Sequence, residues 1–217
     1  LQGVAAIETG DRDAAVASLE SAVRSNPGLI MARQRLGEIY LNDREYESAV
    51  THYQQLTQLD QYTASHHYNL GFANHMLSRF REATVAYIRA VELLPGDFAS
   101  NMNLGLAYYS LRELDAAEFY LERASRIEPD NPRVWSNLGV VHDARGNAIL
   151  AEASYRRSLE LDGENLATLT NLTDNLIAQR RASDAVGVAT TLTQRDADAE
   201  HLRRLGDALT LQRSWDE

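Results

Sequence analysis

Small and apolar residues recur along this chain at a fixed interval of 34 residues. The clearest column is Ala15, Ala49, Ala83, Ala117, Ala151 and Ala185. Twelve residues before each alanine stands a small residue: Gly3, Gly37, Gly71, Gly105, Gly139, then Thr173. Just ahead of these lie Leu36, Leu70, Leu104, Leu138 and Leu172, with Gln2 breaking the column. Four residues after each alanine come Leu19, Tyr53, Tyr87, Leu121 and Tyr155, with Ala189 the exception. Three further on are Ala22, Leu56, Ala90, Ala124, Ser158 and Leu192. Spacings of three and four within each period predict helices, and no stretch alternates with period two, so no strands are expected. Self-similarity at one period predicts an array in which each unit buries its apolar face on its neighbours. The small columns belong where two helices of a unit approach closely. The large columns fill the gaps between units.

The helix breaks agree with this division. Gly10 and Gly146 stand where first helices end, as C-terminal glycines do. Asp130-Asn131-Pro132 offers a cap followed by a first-turn proline, and Asn26-Pro27 and Pro95-Gly96-Asp97 are connectors of the same kind. The units expected are a partial repeat over 1–29, complete repeats over 30–63, 64–97, 98–131 and 132–165, a looser sixth over 166–198, and a final partial one over 199–217. The step from Thr173 to Gly206 is one residue short of the period, and Arg195 replaces an apolar residue, so the sixth unit is expected to be the least regular.

In order, the columns read Leu-Gly, Tyr, Ala, Tyr, Ala, Pro. The best match is Asn103-Leu104-Gly105-Leu106-Ala107-Tyr108 followed by Ala117, Ala124 and Pro129, with Trp135-Ser136-Asn137-Leu138-Gly139 nearly as good. This pattern resembles the tetratricopeptide repeat, a helix–turn–helix unit, and the resemblance covers essentially the whole chain. It implies an all-α fold: a right-handed superhelical solenoid of about six units plus a final lone helix, about 13 antiparallel helices in all.

The resemblance also implies a binding face. First helices of such units line a concave groove, and the residue before each Leu-Gly pair points into it. Here that residue is Asn69, Asn103, Asn137 and Asn171, with Arg35 and Arg204 at either end. An asparagine carries both a donor and an acceptor. A ladder of them can therefore hold a peptide backbone with little regard for sequence, similar to the ladder in the repeat region of O-linked N-acetylglucosamine transferase. Asparagine is also common at this position where it only bonds a neighbouring helix. Flanking positions place Tyr68, Phe72, Met102, Leu106 and Tyr109 in the middle of the groove. Apolar residues at helical spacing commonly belong to a core. The Leu, Ala and Tyr columns already supply one, so a second apolar set points to a partner surface for a hydrophobic peptide or helix. Arg133, together with Arg204, is available to an acidic partner, or to nearby Asp and Glu. The Lys/Asn/Arg clamp by which tetratricopeptide co-chaperones hold a C-terminal carboxylate is missing, since the chain has no lysine.

Composition narrows the function further. The formal net charge is −10, which argues against a nucleic-acid partner, because phosphates call for a basic stripe. No apolar run approaches the length that spans a membrane. Cysteine is absent, so there is no disulfide or thiol chemistry. No phosphate-binding glycine loop, nucleophile elbow or His-Glu-x-x-His motif occurs. The adjacent His66 and His67 lack the three- or four-residue spacing of a helical metal pair. No catalytic residue, cofactor or metal is therefore expected. Leu1 enters a unit midway and Glu217 stops one residue before the next alanine column. Both ends read as cuts in a longer protein, and exposed apolar ends favour end-to-end self-association. The function expected is a protein–protein interaction scaffold that binds an extended or helical peptide. The alternatives are a substrate-recruiting arm of a larger enzyme, such as a glycosyltransferase, and a self-assembling scaffold in bacterial secretion, pilus or organelle assembly.

Overall fold

The computed structural model describes residues 12–216. Among these, every regular element is α-helical and there is no strand. Twelve helices are described: α1 (Arg12–Ser25), α2 (Ile30–Asn42), α3 (Tyr46–Leu59), α4 (Ala64–Met76), α5 (Phe80–Leu93), α6 (Phe98–Ser110), α7 (Leu114–Ile127), α8 (Pro132–Ala144), α9 (Ala148–Leu161), α10 (Leu166–Ala178), α11 (Ala182–Arg195) and α12 (Ala199–Asp216). The helix expected ahead of Gly10, with that glycine, lies outside the described residues. The starts of α2, α4, α6, α8 and α10 are 34 residues apart, and α12 begins one residue early. The contacts divide the chain into two compact units, one through Leu111 and one from Arg112. Within each unit every helix packs on the next.

The periodic columns form the cores of both units. All six column alanines are buried, at 1% exposure or less. In the first unit the rings of Tyr53 and Tyr87 lie against the column glycines. A Cβ built on Gly37 would come within 2.8 Å of Tyr53, and one on Gly71 within 2.6 Å of Tyr87. In the second unit a Cβ on Gly139 would overlap the Tyr155 ring. These glycines therefore let the first helix of a pair approach a tyrosine on the second. Helix propensity alone would prefer alanine there.

The turns inside the pairs reveal a column that glycine counting missed. Arg44, Ser78, Arg112 and Arg180 adopt φ of 61°, 58°, 63° and 56°, and Gly146 a φ of 78°. All five stand 34 residues apart. Each turn after the first helices of Arg44, Ser78, Gly146 and Arg180 closes with a bond reaching five residues back, such as Glu45 N–H to Tyr40 O at 2.8 Å and Arg181 N–H to Leu176 O at 3.0 Å. This is a Schellman ending, which favours glycine at the left-handed residue. Only Gly146 meets that preference without a Cβ penalty. Replacing Ser78 or Arg180 by glycine should stabilise the chain by about 0.5–1 kcal/mol each, after allowing for the greater unfolded-state freedom of glycine. Chemical denaturation of the single and double variants would measure this. A loss of stability in both would show that the left-handed turns carry no strain.

First helices begin with matched caps at the same period. Side chains of Asp97, Asn131 and Asn165 accept from Ser100 N–H at 2.7 Å, Arg133 N–H at 3.1 Å and Thr168 N–H at 2.9 Å. Pro132 occupies the first turn of α8, as its sequence context predicted.

Candidate functional site

The four asparagines of the predicted ladder stand on α4, α6, α8 and α10, and all are half-buried. They fall into two kinds. In the first unit Asn69 Nδ2 donates to the Tyr53 hydroxyl at 3.0 Å, and Asn103 Nδ2 donates to the Tyr68 hydroxyl at 3.0 Å. Burial, with Glu38 adding, pushes the Tyr53 phenol up to about 12, while the Asn69 bond opposes the shift. Tyr53 is therefore a neutral hydroxyl at any ordinary pH. These two asparagines brace helices, though their carbonyl oxygens keep acceptor capacity. In the second unit Asn137 and Asn171 make no side-chain hydrogen bond to any described residue. Their donors and acceptors remain available to something outside the chain.

Tyr68, Asn69 and Phe72 come together in one open pocket of about 380 Å³. Tyr68 stacks on Phe72 with ring centroids 6.4 Å apart. The pocket also takes in Leu41 and Asn42 from the end of α2, Arg44 from the turn, and Tyr46 from the start of α3. Tyr46 meets the Phe72 ring edge-on at 6.5 Å. Sequence reasoning missed these four residues. The signal for Tyr46 was present: Phe80 and Leu114 repeat its position 34 and 68 residues on. Leu106 and Tyr109 are half-buried on α6 and line no part of this pocket.

Other predicted positions need correction. Met102 is only 5% exposed and belongs to the core, so it is unavailable to a ligand. Val140 and Ile177, which repeat the positions of Leu106 and Tyr109 in the second unit, pack against the cluster around Ala151, Tyr155, Leu172 and Leu176. Arg204 is spent within the chain, with Nε 2.9 Å from Asp174 and a second nitrogen 3.1 Å from Glu200. Those partners raise its pKa, the Asp174 bond most. Arg35 pairs with Glu38 at 2.9 Å one turn along its own helix. Of the predicted arginines, Arg133 alone is exposed and makes no ion pair with a described residue.

Among the described residues one cluster of acid and histidine, Asp196, Asp198 and His201, brings its ligand atoms within 4.8 Å of one another. Its bonds are those of a helix start. Asp198 accepts from His201 N–H at 2.7 Å, and the His201 ring contacts the Asp196 carbonyl at 2.9 Å. His66 and His67 are both buried, at 3% and 9% exposure, and His67 Nε2 lies 3.0 Å from the Gln61 carbonyl oxygen. No described helix is long and apolar enough to cross a membrane.

Paired helices at a strict period, with amides and aromatic rings repeated on their first helices, define a class: an all-helical repeat protein built for binding along its surface. Family models place it more narrowly. One described as TPR repeat matches residues 44–78, a second, described as Tetratricopeptide repeat, matches 76–138, and a third of the same description matches 1–28 and 132–165. The chain belongs to the tetratricopeptide repeat family.

Tetratricopeptide repeat-containing protein trd-1 of Caenorhabditis elegans is 28% identical over 131 residues, covering 60% of this chain and 17% of trd-1. Small glutamine-rich tetratricopeptide repeat-containing protein 2 of Saccharomyces cerevisiae is 29% identical over 114 residues, covering 52% and 33%. Protein O-mannosyl-transferase TMTC2 of Homo sapiens is 38% identical over 58 residues, 27% of this chain and 7% of that protein. The chain thus spans a third or less of these curated relatives. Among solved structures, MamA superposes with a TM-score of 0.71 at 25% identity, covering 75% of this chain and 89% of MamA. PilW, a type IV pilus biogenesis factor, superposes with a TM-score of 0.75 at 21% identity, covering 93% of each.

Proposed function

We propose that this chain is a protein-interaction scaffold whose first helices hold an extended or helical peptide segment of a partner. The observation that carries the reading is the pair Asn137 and Asn171. They occupy one repeat position, are half-buried, and have no protein partner for their amides among the described residues. A partly desolvated amide gains most from an external hydrogen bond, and each peptide group offers one donor and one acceptor to match. The family supports the coarse part of the reading, since repeat arrays present extended surfaces to other proteins. The asparagines of the first unit are assigned a mixed role, because their N–H groups already bond tyrosines.

Peptides selected from a random library by the chain provide the test. Their affinity should fall about tenfold for the double variant Asn137→Ala/Asn171→Ala, the loss expected for two hydrogen bonds. Asn69→Ala/Asn103→Ala should instead lower stability by about 1 kcal/mol for each lost tyrosine bond. Unchanged affinity in the first variant, with its fold intact, would make the ladder purely structural. The likeness to a segment of an O-mannosyl-transferase favours one second reading, in which the array is the recruiting arm of a larger enzyme. The parent reading frame decides that directly.

A further inference from the structure

The pocket of the first unit suggests what kind of side chain a bound peptide presents. Its walls are Leu41, Tyr46, Tyr68 and Phe72, and Arg44, Asn42 and Asn69 complete its lining. At about 380 Å³ it lies at the small end of ligand-sized cavities. That is room for one large side chain and its neighbour, not for a whole helix. The aromatic walls are already organised by the Tyr68–Phe72 stack and the Tyr46–Phe72 edge contact.

The charge at the pocket comes from Arg44. It is exposed and makes no side-chain bond to any described residue. The acids that flank it are engaged elsewhere: Asp43 and Glu45 pair with Arg12 at 2.6 and 2.5 Å, and Glu47 lies 3.7 Å from Arg79. Other arginines nearby are paired, as Arg35 with Glu38 shows. The Tyr46 hydroxyl and the Asn42 amide also have no partner among the described residues. The pocket therefore joins an apolar wall to a free guanidinium and two uncommitted polar groups. In a chain of net charge −10, an unneutralised cation beside an apolar cavity selects a local carboxylate and not a broadly acidic partner.

We propose that this pocket takes a phenylalanine-like side chain of a partner peptide whose adjacent aspartate or glutamate is held by Arg44. The assignment rests on the peptide-holding reading above and adds sequence selectivity to it. Three short, end-blocked, fluorescein-labelled peptides in a Gly-Ser frame test it, with Phe-Asp, Phe-Asn or Ala-Asp at the centre. Fluorescence anisotropy should rank Phe-Asp first, with about fivefold weaker binding for Phe-Asn and at least about tenfold weaker binding for Ala-Asp. Arg44→Gln should abolish the preference for Asp over Asn and preserve the preference for Phe over Ala. Raising the salt concentration should erode only the first preference, because an exposed ion pair is screened.

If all three peptides bind equally, the pocket assignment falls and the groove reading stands. If Arg44→Gln weakens Phe-Asp and Phe-Asn alike, the carboxylate assignment falls. If no peptide binds up to about 1 mM, both this assignment and its extension of the groove reading fail here, while Asn137 and Asn171 remain testable with library-selected peptides.

Discussion

Gly71→Ala should destabilise the chain by about 1–3 kcal/mol, and the same substitution should become stabilising once Tyr87 is reduced to alanine. The first half follows from contact. The new methyl would sit 2.6 Å from Tyr87 Cδ1 and 2.8 Å from Cε1, inside van der Waals range. Tyr87 is fully buried, so its ring has no free space to swing into, and overpacking a filled core costs energy of this order. The second half follows from propensity. In a helix interior, alanine is favoured over glycine by about 1 kcal/mol when nothing opposes it. Tyr87→Ala itself should cost about 3–5 kcal/mol through the cavity it leaves. The change of sign between backgrounds is a coupling energy of the kind neighbouring residues show. Chemical denaturation of the four members of the cycle measures it. A Gly71→Ala change with one sign in both backgrounds would mean that the tyrosine does not determine the glycine.

Asn175→Ala should cost about 2–3 kcal/mol, although the repeat pattern argues for the opposite. Ala73, Ala107 and Val141 occupy the same position in earlier units. A consensus argument therefore expects alanine at 175 to be neutral or stabilising. The structure supplies a different expectation. Asn175 is 4% exposed and donates to Asp143 at 2.6 Å and to the Ala148 carbonyl at 3.1 Å. Its own carbonyl accepts from Gln179 at 2.7 Å. Asp143 in turn accepts from the Tyr155 hydroxyl at 2.9 Å. Removing Asn175 leaves several of these groups without a partner in a poorly hydrated site, which costs more than the bonds contributed. The companion variant Asp143→Ala/Asn175→Ala should lose less than the sum of its single changes, since the network is shared. Additive losses would show that the bonds act independently.

The same network reaches Glu152, which is 9% exposed. Burial pushes its carboxyl up, but bonds from Arg156 and Gln179 and the nearby Arg181 outweigh that and hold it below the usual range. A depressed folded value means that the unfolded chain binds the proton first as pH falls. The stabilising contribution of Glu152 is thus complete at neutral pH, and it is lost as pH drops through the folded value.

These residues show where sequence reading succeeds and where it stops. The Ala, Leu and Tyr columns were legible because core packing against the next unit imposes the same side-chain volume every period. Pro132 and Asn131 were legible because capping is a local bond within a few residues. Met102 misled because one helical turn separates a groove position from a core position, and apolar spacing cannot tell which side of the helix is covered. Of the two readings open for Arg204, the ion pair holds: Glu200 lies one turn away on its own helix, and Asp174, on another helix 30 positions away, was beyond the reach of local spacing. Arg44, Ser78 and Arg180 escaped notice because only glycine advertises a left-handed turn by its identity.

The sequence by itself determined the all-helical fold, the period, the pairing of helices and the family, since each follows from a local spacing repeated until chance is excluded. The tertiary structure alone decided which asparagines are free. Asn69 and Asn103 are chemically the same as Asn137 and Asn171, and they share one repeat position. What separates them is whether a tyrosine hydroxyl, brought in from another helix, reaches within 3.0 Å. Hydrogen bonds fall off over a fraction of an ångström, a precision that packing sets and periodicity does not carry.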